Sequence, residues 1–337
     1  MTFTMPPEWA PHERTWMAFP TAGPSSDDLD AQGVLELQAA WAAVAAAVVE
    51  FEPLSMVVDP SDAVAALELL DPRIEIVEIP LDDSWMRDMG PTFVHDEDGR
   101  VVAVDWVFNG WGAQDWAAWG KDSLVAREIA GGIGVPVASS RMVDEGGGIH
   151  VDGEGAVLLT ETVQLDPGRN DGWTRDEVEA ELRRHLGVDR FVWLRRGLFR
   201  DYEPFGTRGH VDVVAAFAPG GVVLVHDQQN PEHPDHEVSA EVRAQLEAEG
   251  GWRIVAVPAP ETLQDEKGWV DWSYINHYVV NGGVILCGFD DPGDARAVEI
   301  MREVYPGREV VLVDARPLFA RGGGVHCITQ QQPRPLA

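Results

Sequence analysis

Apolar residues recur along this chain in short runs of strand length, separated by amphipathic stretches. The runs at 101–107, 156–160, 211–218, 221–226, 253–258, 284–289 and 309–313 are dominated by Val, Ile, Leu and Ala and read as strands. Between some of them apolar positions repeat at helical spacing: from Thr174 to Leu186, opened by the capping box Thr174-Arg175-Asp176-Glu177, from Ser239 to Gly250, and from Asp294 to Tyr305. Pro219-Gly220-Gly221 and Asn281-Gly282-Gly283 each join two apolar runs as tight turns, which predicts antiparallel pairs. The pattern is mixed α/β and fits a doubly wound nucleotide fold poorly. No linker-like shift in composition divides the chain, so residues 1–337 are expected to form a single domain.

Composition narrows the partners. Fifty-seven acidic against 25 basic residues give a formal charge of -32, which repels phosphate backbones and anionic lipid surfaces and attracts small cations. Neither nucleic acid nor membrane is expected as a partner, and the same charge also serves solubility. The longest apolar stretch, 39–51, is shorter than the roughly 20 residues of a membrane span and suits a core-facing helix. The N-terminus has no basic and apolar leader, so a cytoplasmic location is the expectation. No glycine-rich dinucleotide or nucleoside-triphosphate cradle occurs, and no cofactor is expected.

The two cysteines, Cys287 and Cys327, show neither a C-x-x-C spacing nor a disulfide framework and read as reduced thiols. Cys287 lies in the apolar run Val284-Ile285-Leu286 and reads as a packing residue. Cys327 follows Gly322-Gly323-Gly324-Val325-His326, a setting that suits a nucleophile. A guanidinium, planar and permanently charged, needs carboxylates in bidentate geometry, and Asp88 and Asp212 are the candidates. Trp85 is placed to stack on a flat cation. If 209–218 is a strand, His210 and Asp212 share one face, as a proton shuttle and a substrate clamp would. Glu145 would orient the His210 imidazole, and a nearby positive charge would lower the Cys327 pKa. Each residue has a structural alternative: Asp88 as a turn or cap residue, Glu145 as a loop carboxylate, and Trp106, Trp111, Trp116 and Trp119 as packing or pocket wall. His226, His233 and His236 stand among Asp227, Glu232 and Asp235, but Asn230-Pro231 and Pro234 mark that segment as a solvated loop, so no metal is expected there. The segments Gly146-Gly147-Gly148-Ile149-His150 and Gly322-Gly323-Gly324-Val325-His326 echo one another, which suggests repeated modules around a common site.

Several blocks together carry a family resemblance: Met5-Pro6-Pro7-Glu8-Trp9, Asp83-Ser84-Trp85-Met86-Arg87-Asp88, Glu145-Gly146-Gly147, Gly209-His210-Val211-Asp212, Ser273-Tyr274-Ile275-Asn276, and Gly323-Gly324-Val325-His326-Cys327-Ile328-Thr329-Gln330. In these the chain resembles the agmatine deiminases and related bacterial peptidyl-arginine deiminases of the pentein, or guanidine-modifying, superfamily. The resemblance implies a five-bladed α/β propeller of ββαβ modules around a central active site, one catalytic domain, and neither cofactor nor metal. It implies Cys327 as nucleophile, His210 as general acid/base, Glu145 as its support, and Asp88 and Asp212 as guanidinium clamps. It also implies a small cationic guanidine as substrate, hydrolysed through a cysteine thiouronium, and an oligomer by analogy. Deimination or amidino transfer on arginine, peptidyl arginine or another alkylguanidine is the alternative, and a non-enzymatic binding pentein a second. Arg208 and Val213 stand where the family commonly has polar residues, which leaves the substrate's tail open.

Overall fold

The computed structural model describes residues 2–336. Four sheets share one plan, an antiparallel pair followed by a parallel strand reached through a helix. In the first of these, β4 (Thr92–His95) pairs with β5 (Val101–Val107), which pairs in parallel with β6 (Val137–Val143) after the helix Asp122–Ile133. The plan recurs in β7 (Ile149–Val151), β8 (Ala156–Thr160) and β9 (Arg190–Leu194), with the helix Arg175–Leu186. It recurs in β10 (Ala215–Ala218), β11 (Val222–Asp227) and β12 (Arg253–Pro258), with the helix Asp235–Glu249. A small hairpin of β13 (Gln264–Asp265) and β14 (Gly268–Trp269) precedes β15 (Tyr278–Val280), β16 (Gly283–Gly288) and β17 (Glu309–Asp314), with the helix Asp294–Val304.

The fifth module is assembled from both chain ends. C-terminal β18 (Thr329–Pro333) lies antiparallel to β1 (His12–Ala18), which continues through the helix Ala31–Val49 to parallel β2 (Leu54–Val58) and then β3 (Glu75–Glu78). These five ββαβ modules match the repeated unit that the motifs imply.

Local sequence accounts for the elements. Both glycine turns form hairpins, Ala218 opposite Val222 and Val280 opposite Gly283, and Gly220, Gly221 and Gly282 take the positive φ that such tight returns need. Thr174 and Glu177 cap each other's backbone as a capping box, worth about 1 kcal/mol. Val178, Leu182 and Leu186 bury one stripe of that helix, and Gly187 ends it in the left-handed region.

The helix Ala31–Val49 is long and apolar enough to cross a membrane, although no such segment was expected. Its stripe of Leu37, Trp41, Val44 and Val48 is buried in the core, where Trp41 meets the edge of Trp85 at 5.6 Å. Two further expectations are corrected. The helix assigned to Ser239 onward begins one turn earlier, at Asp235, directly after Pro234, and Asp235 turns inward to accept the Phe199 amide. The nearby loop is solvated at Gln229, Pro231 and Glu232 as expected, but His226 and His233 are buried, where they bond Ser273 and the Val270 carbonyl.

Candidate active site

Five segments, each just ahead of the first strand of its module, meet at the centre. The short helix Met86–Met89 before β4 brings Arg87 and Asp88, Glu145 opens the turn before β7, and the turn Val211–Val213 before β10 carries Asp212 with His210 at its start. Asn276 precedes β15 and Cys327 precedes β18. The five residues predicted as nucleophile, acid/base, support and clamps are all buried here.

The expected strand over 211–218 is not continuous. Residues 211–213 form a 3₁₀ turn and β10 starts at Ala215, so His210 and Asp212 are brought together by a bend rather than by strand alternation. The bend is fixed by Arg208 and Gly209, both at positive φ, and by buried Asp201, whose carboxylate accepts the amides of Thr207, Gly209 and His210 at 2.6–3.1 Å.

His210 Nε2 lies 3.2 Å from Glu145 Oε2, and its Nδ1 lies 3.8 Å from Asp88 Oδ1. Burial disfavours charge on His210, but Asp88 and Glu145 outweigh it and raise the pKa to about 9, so the ring is an imidazolium at neutral pH. Glu145 stays ionised despite burial because Arg169, also buried, donates from Nε to both of its oxygens at 3.0 and 2.9 Å. Arg169 in turn bonds Asp166 and the Thr207 carbonyl, which ties the support of His210 to the loop preceding it.

The two proposed clamps differ. Asp88 accepts the Gly147 amide at 3.1 Å and the Trp111 indole N–H at 2.8 Å, while burial, with Glu145 and Asp212 nearby, pushes its pKa up to about 6. Asp212 Oδ2 is bound by His326 Nδ1 at 2.7 Å, and its buried Oδ1 has no hydrogen-bond partner among the described residues. Burial alone would raise the Asp212 pKa, but His326 outweighs it and holds it below the usual value.

Cys327 Sγ lies 3.2 Å from Asn276 Nδ2 and 3.6 Å from Asp212 Oδ2. Burial and the adjacent Asp212 and Asp88 carboxylates raise its pKa well above the ordinary thiol value, so the resting group is a thiol. This corrects the expectation of a lowered pKa: the neighbours of the sulfur are negative until a cation binds. Trp85 does reach the site, since a Cβ on Gly323 would stand 2.8 Å from both Cys327 Sγ and a Trp85 ring carbon. Its indole N–H is held by Ser25 at 3.0 Å, which fixes the ring. Gly322, next in line, borders a cavity of about 570 Å³ shared with Phe205, Trp269 and Asp271.

Sequence reasoning missed Glu8, Asp201, Arg169 and Asn276 as site-builders and placed Trp111 only as packing or pocket wall. Asn276 and Glu8 lay in recognised motifs; Arg169, in the ordinary-looking Pro167-Gly168-Arg169-Asn170, carried no signal. Trp111 sits on a turn in which Gly110, Trp111, Gly112 and Ala113 all have positive φ, and it stacks on Trp116 at 5.3 Å. Arg208 donates to Asp166 at 3.0 Å and is a partner of that carboxylate. Glu8, His150 and His326 bring potential metal-ligand atoms within 4.8 Å of one another. There the Phe217 amide occupies His150 Nδ1, leaving the proton of the neutral ring on Nε2, and the Arg87 guanidinium stands 3.5 Å from Glu8, so an ion-pair network suits this cluster better than a metal.

The model of the Porphyromonas-type peptidyl-arginine deiminase family matches residues 4–333. The chain belongs to that family. It is 58% identical to a Streptomyces coelicolor protein provisionally named an agmatine deiminase, covering 99% of this chain and 100% of the relative. It is 40% identical to the agmatine deiminase of Stutzerimonas stutzeri, over 99% and 96% of the two chains. Among solved structures, an Enterococcus faecalis agmatine deiminase superposes with a TM-score of 0.91 at 31% identity, over 99% of this chain and 97% of that one.

Proposed function

We propose that this protein is an agmatine deiminase, converting agmatine and water into N-carbamoylputrescine and ammonia. The observation that carries the reading is the free, buried oxygen of Asp212 beside the Cys327 thiol, with Asp88 and the Glu145-supported His210 gathered in the same centre. The names of its relatives supply the substrate.

The guanidinium enters between Asp88 and Asp212, with Trp85 as a flat wall. Its positive charge replaces the one missing beside the sulfur, and the thiol gives up its proton to solvent. The thiolate attacks the guanidine carbon and forms a C–S bond. His210, charged at rest, donates a proton to a terminal nitrogen, the C–N bond breaks, and ammonia leaves a Cys327 thiouronium. Neutral His210 then takes a proton from water, the hydroxyl adds to the same carbon, and collapse expels the thiolate with the carbamoyl product. These side chains complete the cycle without a metal or cofactor.

The test is ammonia release from purified protein offered agmatine, free arginine and a peptidyl arginine, with Cys327→Ala as the blank. Agmatine is expected to be turned over and the blank to be silent. Preference for arginine or peptidyl arginine would replace the substrate assignment, and turnover by Cys327→Ala would refute the mechanism.

A further inference from the structure

His326, immediately before the nucleophile, has carboxylates at both ring nitrogens. Nδ1 lies 2.7 Å from Asp212 Oδ2, and Nε2 lies 2.8 Å from Glu8 Oε2. A carboxylate can only accept, so satisfying both contacts requires both nitrogens to donate, and the ring is an imidazolium. Its other neighbours are Arg87, whose Nε donates to the His326 carbonyl at 3.3 Å, and His150, whose ring stacks at 6.1 Å. Burial and Arg87 oppose the charge, while Glu8 and Asp212 outweigh them. Glu8 is itself anchored, because its Oε1 accepts the Val279 amide at 2.8 Å. A line of three charged groups therefore runs from the N-terminal segment to the clamp, and it ends with one Asp212 oxygen fixed and the other unpartnered.

We propose that Glu8 and His326 form a positioning pair for the reaction: they hold the Asp212 carboxylate by one oxygen so that the other stays ionised and open to an N–H of the bound planar cation. The proposal rests on the reading of Asp212 as a guanidinium clamp. Neither side chain is hydrogen-bonded to the sulfur, whose partners are Asn276 and Asp212. The pair makes the residue next to the nucleophile a determinant of which electrophile that nucleophile receives.

The test compares alkylation of Cys327 by 2-chloroacetamidine, a planar amidinium, with alkylation by neutral chloroacetamide. A general loss of thiol reactivity lowers both rates and leaves their ratio alone, whereas a misplaced clamp lowers the ratio. His326→Gln and Glu8→Gln are each expected to reduce the amidine-to-amide ratio about tenfold or more, the scale of one hydrogen bond to a charged group. In steady state KM for agmatine should rise more than kcat falls. Glu8→Gln is the safeguard if His326→Gln does not fold, because the glutamine retains an oxygen for the Val279 amide. An unchanged ratio in the folded variants, with Asp212→Asn lowering it, would overturn the positioning role alone. An unchanged ratio in Asp212→Asn would overturn the clamp reading and this proposal with it.

Discussion

Gly147→Ala would probe how closely His210 and Asp88 are packed. Gly147 lies in the turn before β7 and donates its amide to Asp88 Oδ1 at 3.1 Å. A methyl group built there would stand 2.5 Å from His210 Nδ1 and 3.0 Å from Asp88 Oδ1. Comfortable heavy-atom contact begins near 3.5 Å, so the imidazole must retreat by about 1 Å. Displacement of a catalytic group by that much costs on the order of 100-fold in rate. Overpacking should cost about 1–3 kcal/mol of stability, which a chain of this size tolerates. The expected outcome is a folded protein whose thermal transition falls by several degrees and whose ammonia release from agmatine falls about 100-fold. Activity within about threefold of the parent would show that His210 is not confined by this turn, and would refute the packing argument.

Other expectations follow from the same geometry. Arg169→Met strips the buried Glu145 of its cation and should destabilise the protein by about 3–5 kcal/mol, read from the urea midpoint; an unshifted midpoint would mean that Glu145 is not held as an ion. Trp111→Phe keeps the ring but removes the donor to Asp88, and KM for agmatine should rise about tenfold with a smaller change in kcat. The resting site, with a thiol and an imidazolium, holds one proton more than the reactive thiolate form. Binding of a guanidine should therefore release a proton at neutral pH, seen with an indicator dye and lost in Cys327→Ala. For the same reason kcat/KM should climb as pH rises toward about 9, where the raised His210 pKa begins to remove its proton; a flat profile from neutrality upward would contradict that resting state.

The modular fold was largely legible because each module repeats a strong local pattern: a hairpin, an amphipathic helix and a parallel strand. Val101–Val107, Ala156–Thr160 and Arg253–Pro258 coincide with their predicted runs. The reading failed at 211–218, where Val211, Val213 and Val214 are apolar because they are buried, and burial at the ring centre does not require a strand. The residues proposed for the chemistry stood in recognisable motifs, and the structure gathers them in one centre. What holds them was not legible: Arg169 and Asp201 act through contacts that periodicity does not encode, and the raised thiol pKa follows from carboxylates gathered from different modules. The short glycine echo does mark equivalent places, since each copy leads into the first strand of a module and the two histidines stack.

The pairing of β1 with β18 sets the order in which the centre can mature on the ribosome. Asp88, Glu145, His210 and Asp212 are all synthesised before Cys327, and β1 has no β18 to zip against until residues 329–333 emerge. The segment that carries the thiol is thus seated by a highly non-local pairing, which topology makes slow. A chain without the closing strand would gather the Asp88 and Asp212 carboxylates without the Cys327 thiol beside them.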